Sequence, residues 1–510
     1  MQEENKDRSE KPAEGKKFSD FFYNIVTYVG VLIALFVFIL ECFLFGIDFL
    51  TEGYNVYLGI FTYALLPPFL IFGLLLIPVG ALWKRHRVLK GFAPRKPKTL
   101  FLDPSVATHR NAIFVFIIGT GILIVMTAVG SYKAFHYTES VHFCGITCHQ
   151  VMRPQYTTYL QSPHARVKCV ECHIGEGADW YVRSKLSGMR QVYHTLKGDF
   201  SKPIETPIKN LRPAKETCEK CHWPNKFYNS FEIRRTYYLT EENEPPQWYL
   251  RMLVQVGGSE KEDLGIHAHM DVNNDIYYYA EDKKRQKITW IKSVDKQGKE
   301  TIYTSPDYKL ETKELPAELI REMDCMDCHN RPTHQVNAPF RIMNKAMYEG
   351  AIDATIPSIK KKVLEVLTKD YTSTPEAVTS IKNELLNYYQ KKHSEYYLAH
   401  QGSIEKAIGH IVYLYEHNFF PEMKVRWDIY EENIGHMTSN GCFRCHDNEH
   451  TAEDGKTISR DCNICHMIIE QGPPGMTEKS TDGLPFRHPT NIDDAWKDMS
   501  CSDCHTGGAD

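Results

Sequence analysis

Fourteen of the fifteen cysteines in this 510-residue chain form seven pairs, and each pair is followed at once by histidine. Six pairs have the spacing Cys-x-x-Cys-His: Cys169/Cys172/His173, Cys218/Cys221/His222, Cys325/Cys328/His329, Cys442/Cys445/His446, Cys462/Cys465/His466 and Cys501/Cys504/His505. The other, Cys144/Cys148/His149, has one extra residue between the cysteines. This spacing suits covalent haem attachment. Two thiols form thioethers with the vinyl groups of one porphyrin, and the adjacent imidazole turns back onto the iron. Zinc knuckles need no histidine directly after the second cysteine. Disulfides do not explain the histidines either. At this composition chance gives about 0.02 such triplets per chain. Seven c-type haems are therefore expected.

Low-spin haem iron takes a second axial ligand, usually histidine. Of the 23 histidines, seven follow the cysteine pairs. The candidates for distal positions are His164 in Ser-Pro-His, His334 five residues after His329, His436 ahead of the fifth motif, His450 four residues after His446, and His488 ahead of the seventh. His267 and His269, in Gly-Ile-His-Ala-His, compete for one further position. His393, His400, His410 and His417 fall on an expected helical hairpin and read as solvated or structural. The first motif differs. Met152 lies three residues after His149, on the same face if the segment is helical. Either His149 or Met152 can then be the ligand. An open or weakly held iron suits a site of chemistry, and a passive relay has no need of one.

Three apolar stretches are long enough to cross a bilayer, which takes about 20 residues. They run from Phe21 to Ile47, from Tyr57 to Leu82 and from Ala112 to Gly130. The tail ahead of the first is basic (Lys6, Arg8, Lys11, Lys16, Lys17), and so is the loop between the second and third (Lys84 to Arg110, with His86 and His109). The loop from Asp48 to Val56 has no Lys or Arg. By the positive-inside rule the N-terminus is cytoplasmic, and everything beyond about residue 131 lies outside the cytoplasm. Glu41 is an ionisable group in the first segment and thus a functional candidate. Cys42 reads as an apolar packing residue. A net charge of −4 argues against a nucleic-acid binder, and 12% aromatics against disorder.

The fold expected is mostly α. Three membrane helices (1–131) lead into a multihaem region of short helices and loops wrapped on porphyrins rather than on an aliphatic core. A small β insertion at about 227–308 has Tyr-rich alternating segments at Asp275–Ala280, Ile288–Val294 and Glu300–Thr304, and a turn at Asp295–Gly298. A tetrahaem module spans 132–340, a helical linker 341–425 and a trihaem module 426–510.

The run Phe-Cys-Gly-Ile-Thr-Cys-His-Gln-Val-Met (143–152), Ser-Pro-His (162–164), and the motifs at 169–173, 218–222 and 325–329 with His334 resemble the NapC/NirT family of membrane-anchored tetrahaem quinol dehydrogenases. The resemblance covers about residues 112–340. It implies that the first haem faces the membrane surface and is reduced by menaquinol or another quinol, with Met152 as a ligand. It assigns His164, His267 and His334 to haems 4, 3 and 2, and it places Lys185 near the quinol. Gln191 stands where some members carry an acidic residue. The family usually has one membrane helix, against three here. The function implied is inner-membrane quinol oxidation, with electrons leaving through seven haems to a periplasmic c-type cytochrome. The rival readings are a non-catalytic relay reduced by a partner complex and an oxyanion reductase acting at an open haem.

Overall fold

The computed structural model describes residues 21–50, 62, 65–89, 105, 107–147, 149–175, 177–208, 211–223, 227, 229–240, 247–257, 265–270, 275–295, 297–309 and 315–508. The chain divides into two compact units, 1–143 and 144–510.

The first unit contains α1 (Ile25–Leu50), α2 (Leu66–Leu89) and α3 (Ala107–Thr138). Among the described residues two helical stretches, not the expected three, are long and apolar enough to cross a membrane: Ile25–Gly46 and Leu66–Arg87. The expected third crossing falls within α3, where several side chains lie outside the described residues. The expected second crossing lies partly outside the described residues, and its described part falls in α2. Small residues bring α1 and α2 together. A Cβ on Gly30 would stand 2.8 Å from the Gly73 carbonyl oxygen, and one on Gly73 would stand 2.7 Å from the Ala34 nitrogen. The Thr27 hydroxyl donates across to the Ile77 carbonyl (3.3 Å). With no hydrophobic drive between helices in lipid, such close backbone approach is what holds a pair together. Cys42 is exposed, with its Sγ 3.7 Å from Met126 Sδ.

The second unit holds two antiparallel sheets. Strands β1 (Asn229–Tyr238), β2 (Gln247–Gly257), β3 (Asp275–Ala280), β4 (Ile288–Val294) and β5 (Glu300–Thr304) form in the expected insertion. The hairpin at Asp295–Gly298 closes through the Gly298 amide on the Asp295 carbonyl (2.9 Å). The insertion does not pair only with itself. β6 (Arg321–Glu322), β7 (Thr451–Ala452), β8 (His466–Gly472) and β9 (Glu478–Leu484) complete the sheets, in the orders β1-β2-β8-β9 and β6-β3-β4-β5-β7. The expected trihaem segment thus supplies partners to the exposed edges of β2 and β5, which would otherwise present unpaired backbone groups.

The region read as a helical linker has an aliphatic core of its own. Helices α6 (Pro339–Tyr348), α7 (Ile359–Leu367), α8 (Thr374–Lys392) and α9 (Ser394–Asn418) bury Met343, Val363, Leu364, Ile381, Leu385, Ile404 and Ile411 together. This corrects the expectation that porphyrins replace an ordinary core throughout. These helices carry no attachment motif, so their apolar faces have to pack on each other. Ser373 caps α8, its hydroxyl accepting from the Glu376 amide (3.4 Å).

Lys360 lies in this core, 9% exposed, with its ammonium donating to the Tyr238 carbonyl. Burial pushes its pKa down from 10.5 to about 8. The folded chain therefore binds fewer protons than the unfolded chain between these two values, and stability rises with pH across that window. Lys360→Met should raise stability at pH 7. The relief is on the order of 3 kcal/mol, less about 1 kcal/mol for the lost hydrogen bond. The gain should fade by pH 10.5, as read by thermal melts at both pH values.

Candidate functional site

Motifs two to seven each contain a short helical turn. That turn places the histidine amide back on the carbonyl of the first cysteine: His222 on Cys218 (2.8 Å), His329 on Cys325 (2.7 Å), His446 on Cys442 (3.1 Å) and His505 on Cys501 (2.8 Å). Acidic or hydroxyl residues just ahead start several of these turns. Asp324 and Ser500 form capping boxes with Asp327 and Asp503, and Asp461 accepts from the Asn463 amide. Such caps satisfy amides that have no partner inside the helix.

In six cases the histidine so positioned faces another histidine ring. The ring centroids lie 6.3 Å apart for His173 and His334, 5.9 Å for His222 and His164, and 6.3 Å for His329 and His267. The other three separations are 5.8 Å for His446 and His269, 6.1 Å for His466 and His436, and 5.9 Å for His505 and His488. Two imidazoles sharing one metal at about 2.0 Å per bond place their centroids about 6.3 Å apart. The remaining ring nitrogens support this use. Nδ1 of His267, His269, His334, His446 and His488 donates to the carbonyl of Val256, Ile266, Gln155, Ser459 and Thr490 respectively, at 2.8–3.0 Å. A backbone carbonyl on one nitrogen fixes the tautomer and turns the other toward the metal. Burial, then the neighbouring His173 and Arg331, holds His334 down at about 4. Burial, then His466 and Arg460, does the same for His436. Both rings are neutral at pH 7, the form with a lone pair to give. Among the described residues, no three or more His, Cys, Asp or Glu side chains converge as a zinc site would need. The residues present thus fit haem.

His267 and His269, which the sequence set against each other for one position, face different histidines. His164 faces the histidine of the third motif and His267 that of the fourth, the reverse of what the resemblance implied. His436 faces the histidine of the sixth motif. His450 faces none of these rings. Its Nδ1 pairs with Asp447 (2.9 Å) and its Nε2 donates to the Ile288 carbonyl (3.1 Å), so both nitrogens are engaged within the chain. His269 faces His446 instead. On α9, His400 and His417 pack against the rings of Tyr396 and Tyr413.

At the first motif, His149 opens α4 (His149–Leu160), and the partly buried Met152 follows three residues on. Cys148 and the His149 side chain lie outside the described residues. Lys185 and Gln191 both lie on α5 (Ala178–Lys197). The Lys185 ammonium sits 4.8 Å from the Tyr181 ring centroid, and the exposed Gln191 amide donates to Ser187 (3.3 Å). Six residues apart on a helix, the two point in different directions. Glu41 lies on α1, partly buried.

The attachments form a row in chain order. The free thiols of Cys144 and Cys169 are hydrogen-bonded, and so are those of Cys218 and Cys325. Cys172 lies within electrostatic reach of Cys218 and Cys221, Cys328 of Cys442, Cys465 of Cys442, and Cys501 of Cys462.

Cys504 departs from a uniform reading of the paired cysteines. It is exposed at the end of the one-turn helix Cys501–Cys504, while Cys501 at the start of that turn is partly buried. Cys172, Cys221 and Cys462 are exposed as well. Spacing alone treats both sulfurs of a motif alike. A lone turn packs only one of its sides on the protein, so the polypeptide encloses one sulfur more than the other. At Cys504 and these three positions it does not enclose the thiol.

Two functional positions escaped sequence reading. Asp327 and Arg444 occupy the same variable place in the fourth and fifth motifs. The buried Asp327 carboxylate accepts from Tyr278 (2.7 Å), Arg285 (2.8 Å) and Arg321 (2.9 Å). Arg444 donates to the Asp327 carbonyl (2.9 Å) and the Arg285 carbonyl (2.7 Å), tying the two attachments to each other. A charged residue between paired cysteines is the only sequence trace of this lock.

Facing imidazoles beside paired cysteines define a multihaem c-type cytochrome. Residues 106–208 match the model of the NapC/NirT cytochrome c family, N-terminal region, and the chain belongs to that family, with c-type haem as its cofactor. Over 97% of both chains it is 39% identical to the cytochrome c-type protein ImcH of Geobacter sulfurreducens. It is 31% identical to the cytochrome c-type protein NrfH of Wolinella succinogenes over 22% of this chain and 63% of that one. With the cytochrome c-type protein TorY of Escherichia coli O157:H7 it shares 27% identity over 21% of this chain and 35% of the other. No solved structure matches.

Proposed function

We propose that this chain is an inner-membrane quinol dehydrogenase that passes electrons from quinol to a periplasmic c-type cytochrome by way of seven haems. Seven cysteine pairs would hold the porphyrins, six facing histidine pairs would hold the irons at motifs two to seven, and Met152 would contribute at the first motif. When bound, each haem iron carries one electron at a time. The observation that carries this reading is the conjunction of six facing imidazole pairs with attachment cysteines that neighbour one another in chain order. Quinol releases two electrons and two protons. Lys185 offers three N–H donors to a quinol oxygen. The Gln191 amide can hold an oxygen but takes up no proton, so another group must accept it.

Periplasmic placement of 144–510 follows if α3 is a third crossing, and positions 111–132 carry no charged residue. With the basic tail and the basic Lys84–Arg110 loop on the cytoplasmic side, the attachment motifs then face the periplasm.

The test is stopped-flow reduction of the full-length protein in nanodiscs by a menaquinol analogue, followed in the haem Soret band. Met152→Ala and Lys185→Ala should each slow reduction by on the order of tenfold, the effect of losing one positioned group. Unchanged rates in both would remove the quinol site. Equal haem reduction with and without quinol would favour a relay fed by a protein partner.

A further inference from the structure

Helix α5 presents its apolar side outward. Val182, Leu186, Met189, Tyr193 and Leu196 are 54%, 57%, 63%, 60% and 85% exposed. At 100° per residue these five fall within about 80° of arc along the whole helix. Arg183, Arg190 and Lys197, spaced by seven, line one flank of that stripe with Asp179 at its start, the Lys197 ammonium also meeting Asp199 (3.0 Å), and Lys185 lies on the other flank. The opposite side carries Ser184, Gln191 and Thr195, whose bonds stay within the helix: Ser184 to the Tyr181 carbonyl, Gln191 to Ser187, and Thr195 to the Gln191 carbonyl. This inverts the usual pattern of a helix packed on a protein core. Five large apolar side chains in one unbroken stripe need a cover, and the basic flank says which one. Apolar groups in contact with acyl chains, bordered by cations at phosphate level, describe a helix lying in a bilayer interface. The same polypeptide carries helices able to cross a membrane, so a bilayer is at hand for every copy.

We propose that α5 lies flat in the surface of the membrane that anchors the chain. Its Val182–Leu196 stripe sits among the upper acyl segments, and Arg183, Arg190 and Lys197 pair with anionic phospholipid headgroups. The inference rests on membrane anchorage and not on quinol oxidation. It gives the tetrahaem part of the chain a second membrane contact, separate from the crossing helices.

The full-length haem-loaded protein can be placed in nanodiscs containing phosphatidylglycerol with a diazirine on its acyl chain, photolysed, and mapped by mass spectrometry. Lipid adducts are expected on Val182, Leu186, Met189, Tyr193 and Leu196, with α1 and α2 labelled as internal controls. Labelled α1 and α2 with a bare α5 would overturn the proposal, since a porphyrin or a protein would then cover the stripe. Reversing the flank with Arg183→Glu, Arg190→Glu and Lys197→Glu together should lower α5 adducts by on the order of tenfold or more, at unchanged α1 labelling and haem content. An unchanged α5 yield in that variant would overturn the headgroup contact. Quinol reduction assayed on the same samples separates failure here from failure of the quinol site.

Discussion

His269→Ala is expected to convert one haem from six- to five-coordinate and leave the others low-spin. His269 faces His446 at 5.8 Å and, by the ligand set proposed here, is the second imidazole at the fifth attachment. Its loss leaves that iron with a single protein ligand. A high-spin ferric EPR signal amounting to one haem per chain should appear. Ferric iron loses a donor, so the midpoint of that haem should rise by on the order of 0.1 V or more, axial ligands setting haem potentials over about 0.8 V. His450→Ala is the matched control. It should leave all haems low-spin and cost stability instead, because it strips the partner from Asp447. Burial alone would raise the Asp447 carboxyl, but hydrogen bonds from the His450 ring and from backbone amides outweigh that and hold it low. Were the high-spin signal to appear in His450→Ala and not in His269→Ala, the ligand assignment would be reversed.

Asp327→Ala should produce the largest loss of stability of any single change outside the attachment residues, about 3–5 kcal/mol, the usual cost of removing one member of a buried ion-pair network. Arg285 would keep its charge with no carboxylate to meet it, Arg321 would keep only Asp324 (2.9 Å), and the Tyr278 hydroxyl would be left buried without its acceptor. Urea unfolding followed by far-UV circular dichroism measures the effect. Asp327→Asn should fall between wild type and alanine, since an amide oxygen still accepts but the two guanidinium charges go unbalanced. Because Arg444 bonds to the backbone of residue 327, the loss should also loosen the junction between the fourth and fifth attachments. That would show as slower haem-to-haem equilibration after partial reduction. A variant as stable as wild type would show that the network contributes little.

The attachment motifs were readable because thioether spacing is a property of five consecutive residues. The unequal cover of the two sulfurs was not, since it depends on which side of each turn meets the rest of the protein, as Cys501 and Cys504 illustrate. The β3, β4 and β5 segments were readable for a local reason too: alternation with a period of two shows within one strand. The helices α6–α9 were recognised as helical, but their buried core was not, since a core exists only once Met343, Leu364, Ile381 and Ile411 meet. β8 and β9 escaped notice because a strand that completes the edge of another sheet announces itself weakly, by pairing rather than by pattern.

The same division runs through the site. Near neighbours in the chain name the histidine that follows each cysteine pair, because four residues of helix bring that imidazole to its own porphyrin. The choice of opposite imidazole is made across up to 177 positions, the separation of His269 from His446, and at that distance no local pattern marks one candidate over another. The turn carrying His267 and His269 follows β2, whose far edge is held by β8, and there two histidines two residues apart face different motifs. His450, only four residues after His446, is turned the other way by Asp447 and the Ile288 carbonyl. Local covalent geometry therefore states where haems join the polypeptide, while the long-range packing of strands states which nitrogens meet across them.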